Sequence, residues 1–159
     1  MMSVTHYDSP LGRICLTADD IGLTGLWFED QIRHVPRTTG DGPAIDKAIE
    51  WLDDYFDGRI PEVHVELHLI GTDFQLRVWN EIRSIPYGGT ISYGEIAKRI
   101  ADECGISKIS AQAVGNAVGR NPIAMIVPCH RVIGSDGSMT GYAGGLERKI
   151  RLLSIEGSL

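Results

Sequence analysis

Ile91-Ser92-Tyr93-Gly94-Glu95-Ile96-Ala97, followed after a polar loop by Ser110-Ala111-Gln112-Ala113-Val114-Gly115 and Gly119-Arg120-Asn121-Pro122, decides how the second half of this chain folds. Ser92 with Glu95 three residues on has the form of a capping box, opening a helix that runs through Ile96, Ala97 and Ile100. After a loop over 102–108, Ser110 is placed to cap a second helix over 111–119. That helix is rich in Ala and Gly, Gly115 among them, and small side chains let a helix approach another body closely. Two short helices joined by a turn, the second closed by Gly-Arg-Asn-Pro, read as a helix-turn-helix.

Working outward, Gly71 marks a boundary. Beyond it Thr72 or Asp73 caps a helix bearing Phe74, Val78, Trp79 and Ile82, which ends before Pro86-Tyr87-Gly88-Gly89. Toward the C-terminus, Gly145 to Glu156 reads as an amphipathic helix with Leu146, Ile150, Leu153 and Ile155 as its apolar face. On the N-terminal side, Val4 to Phe28 reads as a meander of short strands with turns at Ser9-Pro10-Leu11-Gly12 and Asp19-Asp20-Ile21-Gly22. A polar loop follows from Pro36 to Pro43. A helix then carries Ile45, Ala48, Ile49, Leu52, Tyr55 and Phe56 and stops at Gly58. Val63, Val65, Leu67 and Leu69 alternate with His64, Glu66 and His68, the period of a half-buried strand. The His64, Glu66 and His68 row reads as a solvent-facing polar edge rather than a metal site, since no cysteine or further histidine stands at a completing spacing.

The chain has 159 residues and ordinary soluble composition, enough for one ample core or two small domains. No apolar stretch is long enough to span a bilayer, and the N-terminus lacks a basic segment followed by an apolar one, so a cytoplasmic protein is expected. Cys15, Cys104 and Cys129 are an odd number with no CxxC spacing, which argues against a disulfide framework. The formal charge of −6 is unevenly spread. Positions 1–69 carry 5 Lys/Arg against 13 Asp/Glu, whereas positions 70–159 carry 10 against 8. A polyanion is therefore expected to approach the second part.

The reactive-looking stretch is Ile126-Val127-Pro128-Cys129-His130-Arg131-Val132-Ile133-Gly134. Val and Ile on both sides favour extended backbone, and Pro128 fixes its own φ, so Cys129 is expected at a bend between rigid segments. A cysteine by itself is most often small core filler. Here it stands in a larger block. Gly71-Thr72-Asp73-Phe74-Gln75-Leu76-Arg77-Val78-Trp79, Ile85-Pro86-Tyr87-Gly88, Ile91 to Ala97, Gly119 to Pro122, Pro128 to Val132 and Thr140-Gly141-Tyr142-Ala143-Gly144-Gly145 resemble, in order, the phrases of the O6-alkylguanine-DNA alkyltransferases. The resemblance covers residues 71–157; the first seventy match loosely.

The resemblance implies an α/β ribonuclease-H-like domain over 1–70 and a mostly α domain over 71–159, winged-helix-like, that carries the helix-turn-helix and the alkyl acceptor. It implies direct-reversal DNA repair: one transfer of an alkyl group from O6-alkylguanine, with O4-alkylthymine as a further substrate, to Cys129, with no cofactor. The partner is double-stranded DNA, entered from the minor groove with the base flipped out, and a monomer is expected. Such a displacement needs a thiol ionised well below its free pKa of about 8.5 and a donor for the departing oxygen. By resemblance His130 is the base, reached through a water, and Glu156 orients it. Tyr93 is the donor, and Asn121 the hinge tying the recognition helix to the cysteine segment. The carbonyls of Cys129 and Val132 accept from the guanine amino group, and Tyr142, Ala143 and Gly144 form the loop over the alkyl group. Gly115 and Arg120 belong to the DNA-facing helix.

One departure concerns the residue that fills the vacated base stack, an arginine in the family and Gln112 here. Another is Ala143, where relatives often have serine. A structural zinc known in some relatives finds no matching ligands. Two other readings stay open on the residues alone: a non-catalytic damage-recognition protein, although proteins of that kind lack the cysteine kept here, and a Cys–His hydrolase, for which no oxyanion-hole motif is evident.

Overall fold

The computed structural model describes residues 2–139, 142 and 144–159. The chain divides into two compact units, Met1–Ile70 and Gly71–Leu159. No helix among the described residues is long and apolar enough to cross a membrane.

In the first unit β1 (Ser3–Ser9), β2 (Gly12–Ala18) and β3 (Leu23–Phe28) form an antiparallel meander. Ser9 pairs with Gly12 across a two-residue turn, where Gly12 has a φ of 127° that a side chain would resist. Helix α1 (Pro43–Phe56) begins on a proline, whose missing N–H costs nothing in the first turn. It packs on the meander, burying Ile45, Ala48, Leu52 and Tyr55. The alternating segment at 63–69 does not form the expected strand. It makes one parallel bridge, Leu23 to Leu67, in which Leu23 N–H donates to the Glu66 carbonyl and His68 N–H to the Leu23 carbonyl, each at 2.8 Å. Of its four alternating aliphatics only Val65 is buried. Alternation reports a half-buried extended chain, but a ladder also needs a partner edge, and β3 presents only its first residue. His68 Nδ1 lies 2.5 Å from Asp19 Oδ2, while His64 and Glu66 pair in solvent at 3.0 Å.

In the second unit α2 (Asp73–Arg83) starts from Thr72, which accepts from Gln75 N while the Gln75 side chain accepts from Thr72 N. Helix α3 (Tyr93–Cys104) starts from Ser92, which accepts from Glu95 N, and stops at Gly105 with a φ of 67°. The Ser92 half of the capping box is present; the Glu95 carboxylate lies 3.5 Å from Arg99 Nε. Helix α4 (Ala111–Gly119) starts from Ser110 and packs against α2 and α3 through Val114, Ala117 and Val118. Trp79 locks this helix trio by donating its indole N–H to the Ala117 carbonyl at 2.8 Å, which satisfies a polar atom in the core. A short parallel pair, β4 (Ile91–Ser92) with β5 (Val132–Ile133), ties the start of α3 to the chain just beyond Cys129.

Helix α5 (Leu146–Ile155) turns inward only Leu153 of the apolar face its hydropathy predicts. It buries Lys149, Leu152 and Leu153, with Glu156 at its C-cap, while Leu146, Ile150 and Ile155 are 54%, 39% and 38% exposed. A face is chosen by what its side chains can pair with inside, and here the inward ionic groups are satisfied.

Candidate active site

The segment leading to Cys129 is built from tight local turns. Met125, fully buried, has a φ of 70°, and Ile126 N–H donates across it to the Ala124 carbonyl at 2.8 Å, a γ-turn of the strained hand. Pro128, at φ −81° and ψ 66°, centres an inverse γ-turn in which Cys129 N–H donates to the Val127 carbonyl at 2.8 Å. The bend expected at Cys129 is present. The approach to it is a compact reversal rather than the extended chain that Ile126 and Val127 suggest, because ring closure at Pro128 and the hydrogen bonds of Asn121 override β propensity. Asn121 donates to the Val127 carbonyl at 2.9 Å and accepts from Ile123 N at 3.0 Å. It thereby fastens the chain leaving α4 to the chain entering the cysteine turn. Cys129 to Arg131 then make one 3-10 turn before β5.

Within that turn every side chain is buried, Cys129 at 4% exposure and His130 at 0%. Glu156 at the end of α5 meets two of them: His130 Nε2 lies 2.6 Å from Oε2, and Arg131 Nε donates to Oε1 at 2.6 Å. A carboxylate facing Nε2 assigns the proton to that nitrogen, so Nδ1 carries the lone pair. Among the described residues the buried Nδ1 has no hydrogen-bond partner, nor has the Tyr142 hydroxyl, whose ring stands edge-on to His130 at 6.4 Å. Burial pushes the His130 pKa below its ordinary value, against the pull of Glu156. The ring is thus a neutral base.

The same burial pushes the Cys129 thiol up to about 11, opposed by the Asn121 hydrogen bond, the Lys149 charge and the N–H groups of its own turn. This corrects the expectation of a thiol ionised well below 8.5. Desolvation outweighs the local donors, so the thiol keeps its proton until a base takes it. Burial also raises the pKa of Tyr93 and of Tyr142, with the nearby Cys129 charge adding in both cases, which keeps both phenols protonated as donors.

The remaining sequence candidates that the structure describes fall into four places. Tyr93, half-buried at the start of α3, has Gly115 of α4 against its ring, where an added Cβ would sit 3.8 Å from Cδ1. Val132 O accepts the Lys149 ammonium at 2.5 Å, and Cys129 O accepts the Val132 N–H. Gln112 and Arg120 stand exposed at the two ends of α4 and are not part of the buried cluster. A side chain at Gly144 would put its Cβ 2.3 Å from Tyr142 Cε2, so that position requires glycine. Ala143 lies outside the described residues.

Two residues of the cluster escaped the sequence reading. Arg131 sits inside the quoted motif, and a buried arginine demands a carboxylate, but the resemblance assigns Glu156 to His130 alone. Lys149 precedes Glu156 by two helical turns on one face, a spacing visible in the sequence. Its ammonium lies 5.9 Å from the Tyr93 ring, and burial lowers its pKa.

Residues 73–158 match the model of the 6-O-methylguanine DNA methyltransferase DNA-binding domain, and residues 2–69 match that of the ribonuclease-like domain of the same proteins. The chain is 49% identical over 158 residues to a methylated-DNA-protein-cysteine methyltransferase of Mycobacterium tuberculosis, covering 96% of this chain and 93% of that one. It is 45% identical over 155 residues to a protein of the same name from Methanosarcina acetivorans, covering 96% of each. The crystal structure of the M. tuberculosis O6-methylguanine methyltransferase superposes with a TM-score of 0.84 at 48% identity, covering 99% of this chain and 94% of that one. A crystal structure of M. tuberculosis OGT in complex with DNA gives 0.79 at 47%, covering 96% and 91%.

Proposed function

This chain belongs to the 6-O-methylguanine DNA methyltransferase family, and we propose that it repairs O6-alkylguanine by accepting the alkyl group on Cys129 once per molecule. Its activity is transfer of a methyl group from DNA to a protein cysteine, a direct repair of DNA. The proposal concerns which atoms do it. The single observation that carries it is the buried Cys129 followed by a neutral His130 whose Nδ1 is open and whose Nε2 is held by Glu156.

In this reading a water passes the thiol proton to Nδ1, since adjacent side chains rarely meet directly. The thiolate attacks the alkyl carbon in line, the S–C bond forms as the C–O6 bond breaks, and the electron pair leaves on guanine O6. The proton removed from the thiol returns to the purine, which ends as ordinary guanine. Tyr93 donates to the base as charge develops, the chain at Tyr142 and Gly144 covers the alkyl group, and the carbonyls of Cys129 and Val132 accept from the guanine amino group. Among the described residues no group is placed to hydrolyse the thioether, so in this reading the protein is consumed. A thiol held at 4% exposure reaches a base only if the nucleotide leaves the duplex, which supports flipping; in this reading the route is the minor groove and Gln112 fills the vacated stack. The same chemistry extends to O4-alkylthymine. Residues 71–159 carry both DNA binding and the acceptor; residues 1–70 contribute no reacting group.

Mass spectrometry of the intact protein after excess O6-methylguanine duplex tests this. One added methyl on Cys129, and none on Cys129→Ser, is expected. Turnover beyond one repaired base per protein overturns the single-use reading, and an adduct elsewhere overturns the assignment of Cys129.

A further inference from the structure

Arg131 is a buried cation with two acceptors taken at once. Nε donates to Glu156 Oε1 at 2.6 Å, and Nη1 donates to the carbonyl of Ile85, in the turn after α2, at 2.8 Å. Its guanidinium also stands 5.7 Å over the Tyr87 ring. The Glu156 side chain, with no exposed surface, therefore carries one donor on each oxygen.

The two donors are not equivalent. The His130 proton can move within its hydrogen bond, whereas the guanidinium cannot surrender one. Protonating Glu156 would leave Arg131 buried without a counter-ion, a strongly unfavourable state. Glu156 therefore stays an anion and the shared proton stays on Nε2. Nδ1 remains the lone-pair nitrogen.

The groups facing His130 are Glu156 and Lys149 from α5, Tyr142 ahead of α5, and Cys129 and Arg131 on its own turn. Arg131 and Lys149 both disfavour a second positive charge on the ring, adding to burial, while Glu156 opposes them.

We infer that Arg131 is a positioning residue for alkyl transfer, acting through Glu156: it occupies one carboxylate oxygen so that the other holds His130 with Nδ1 open as the base. This rests on the reading of Cys129 as alkyl acceptor and His130 as its base. Arginine is required rather than lysine, because only the planar fork reaches Glu156 and the Ile85 carbonyl together.

The test uses the full chain and the free base O6-benzylguanine, which needs no DNA and no extrusion. Single-turnover rates of Cys129 alkylation are measured across the range in which histidine titrates, for the wild type, Arg131→Gln and Arg131→Lys. Loss of the cation in Arg131→Gln makes the ring easier to protonate, so the acid limb of the profile moves to higher pH and the plateau falls. Arg131→Lys keeps the charge, so its limb stays near the wild-type position while its plateau falls. The 15N spectrum of His130 shows the Nε2–H tautomer in the wild type and a mixture in Arg131→Gln. A lowered plateau with an unmoved limb and an unchanged tautomer in Arg131→Gln would show a merely structural role and overturn the inference. If Arg131→Gln does not fold, Arg131→Lys decides: a wild-type plateau there overturns it. A wild type that forms no Cys129 adduct fails the underlying reading, an outcome separate from an adduct that forms with unmoved profiles.

Discussion

Glu156 Oε2 lies 2.6 Å from His130 Nε2 across 26 residues of sequence, and its other oxygen is held by Arg131 at the same distance. Both partners donate, so the site needs two acceptors from one side chain. Glu156→Gln supplies one acceptor and one donor and cannot satisfy both. One N–H then faces another, and His130 is freed to adopt the wrong tautomer. A charge-assisted hydrogen bond contributes about 1.5–3 kcal/mol, so single-turnover transfer should slow about 10- to 150-fold. An unchanged rate would remove Glu156 from the mechanism.

Folding stability should depend on pH through His130. Its folded pKa is depressed by burial below the ordinary value of 6.5, so in the window just below 6.5 the unfolded chain binds more protons than the folded one. Stability is full above that window and is lost as pH falls through it. Urea midpoints measured from neutral pH downward should show this slope, and His130→Asn should flatten it. A slope that survives the substitution belongs to another group.

Tyr93→Phe removes a protonated phenol beside Cys129 while keeping the ring that covers Gly115. If its hydroxyl meets the developing charge on the purine, the loss is about 2–4 kcal/mol, roughly 30- to 1000-fold in rate. Circular dichroism and the urea midpoint should be nearly unchanged. A rate equal to that of the wild type would assign the donor role to another group, the buried Tyr142 hydroxyl being the next candidate.

Gln112, exposed in the first turn of α4, is where a stack-filling side chain is proposed. Arginine there would add a stacking cation and charge-assisted bonds to the orphaned cytosine. Gln112→Arg should therefore favour the extruded base by about 1 kcal/mol, roughly fivefold in duplex repair. Reaction with free O6-benzylguanine needs no extrusion and should hardly change. If both rates rise together, or if duplex repair slows, the stack is filled by another residue.

Asn121→Ala removes the side-chain donor to the buried Val127 carbonyl and the acceptor of the Ile123 N–H. The carbonyl keeps the Cys129 N–H, so one buried donor is left unpaired, which should cost about 1–3 kcal/mol of stability, read from the urea midpoint. Relaxation of the Met125 γ-turn should accompany it, since Asn121 anchors the Ile123 N–H and the Val127 carbonyl on either side of it. A loss below 1 kcal/mol would mean water replaces the amide.

What the sequence alone determined is what depends on neighbours in the chain. Thr72, Ser92 and Ser110 each cap the helix expected of them, Gly105 closes α3, and Pro128 bends the chain into Cys129, because caps and turns are hydrogen bonds spanning two to four residues. The motifs around Cys129 also sufficed to indicate the family. The tertiary structure decided what depends on partners far away. Residues 63–69 alternate like a strand but meet β3 at one bridge, and α5 buries Lys149 and Glu156 while exposing Leu146 and Ile150. Hydropathy cannot foresee either outcome, since it does not know which edge or which ion waits inside. The protonation of the site was likewise a tertiary matter. Full burial holds the Cys129 proton on and the His130 proton off, and Arg131 and Lys149 enter the site only because packing brings their charges against Glu156 and Val132.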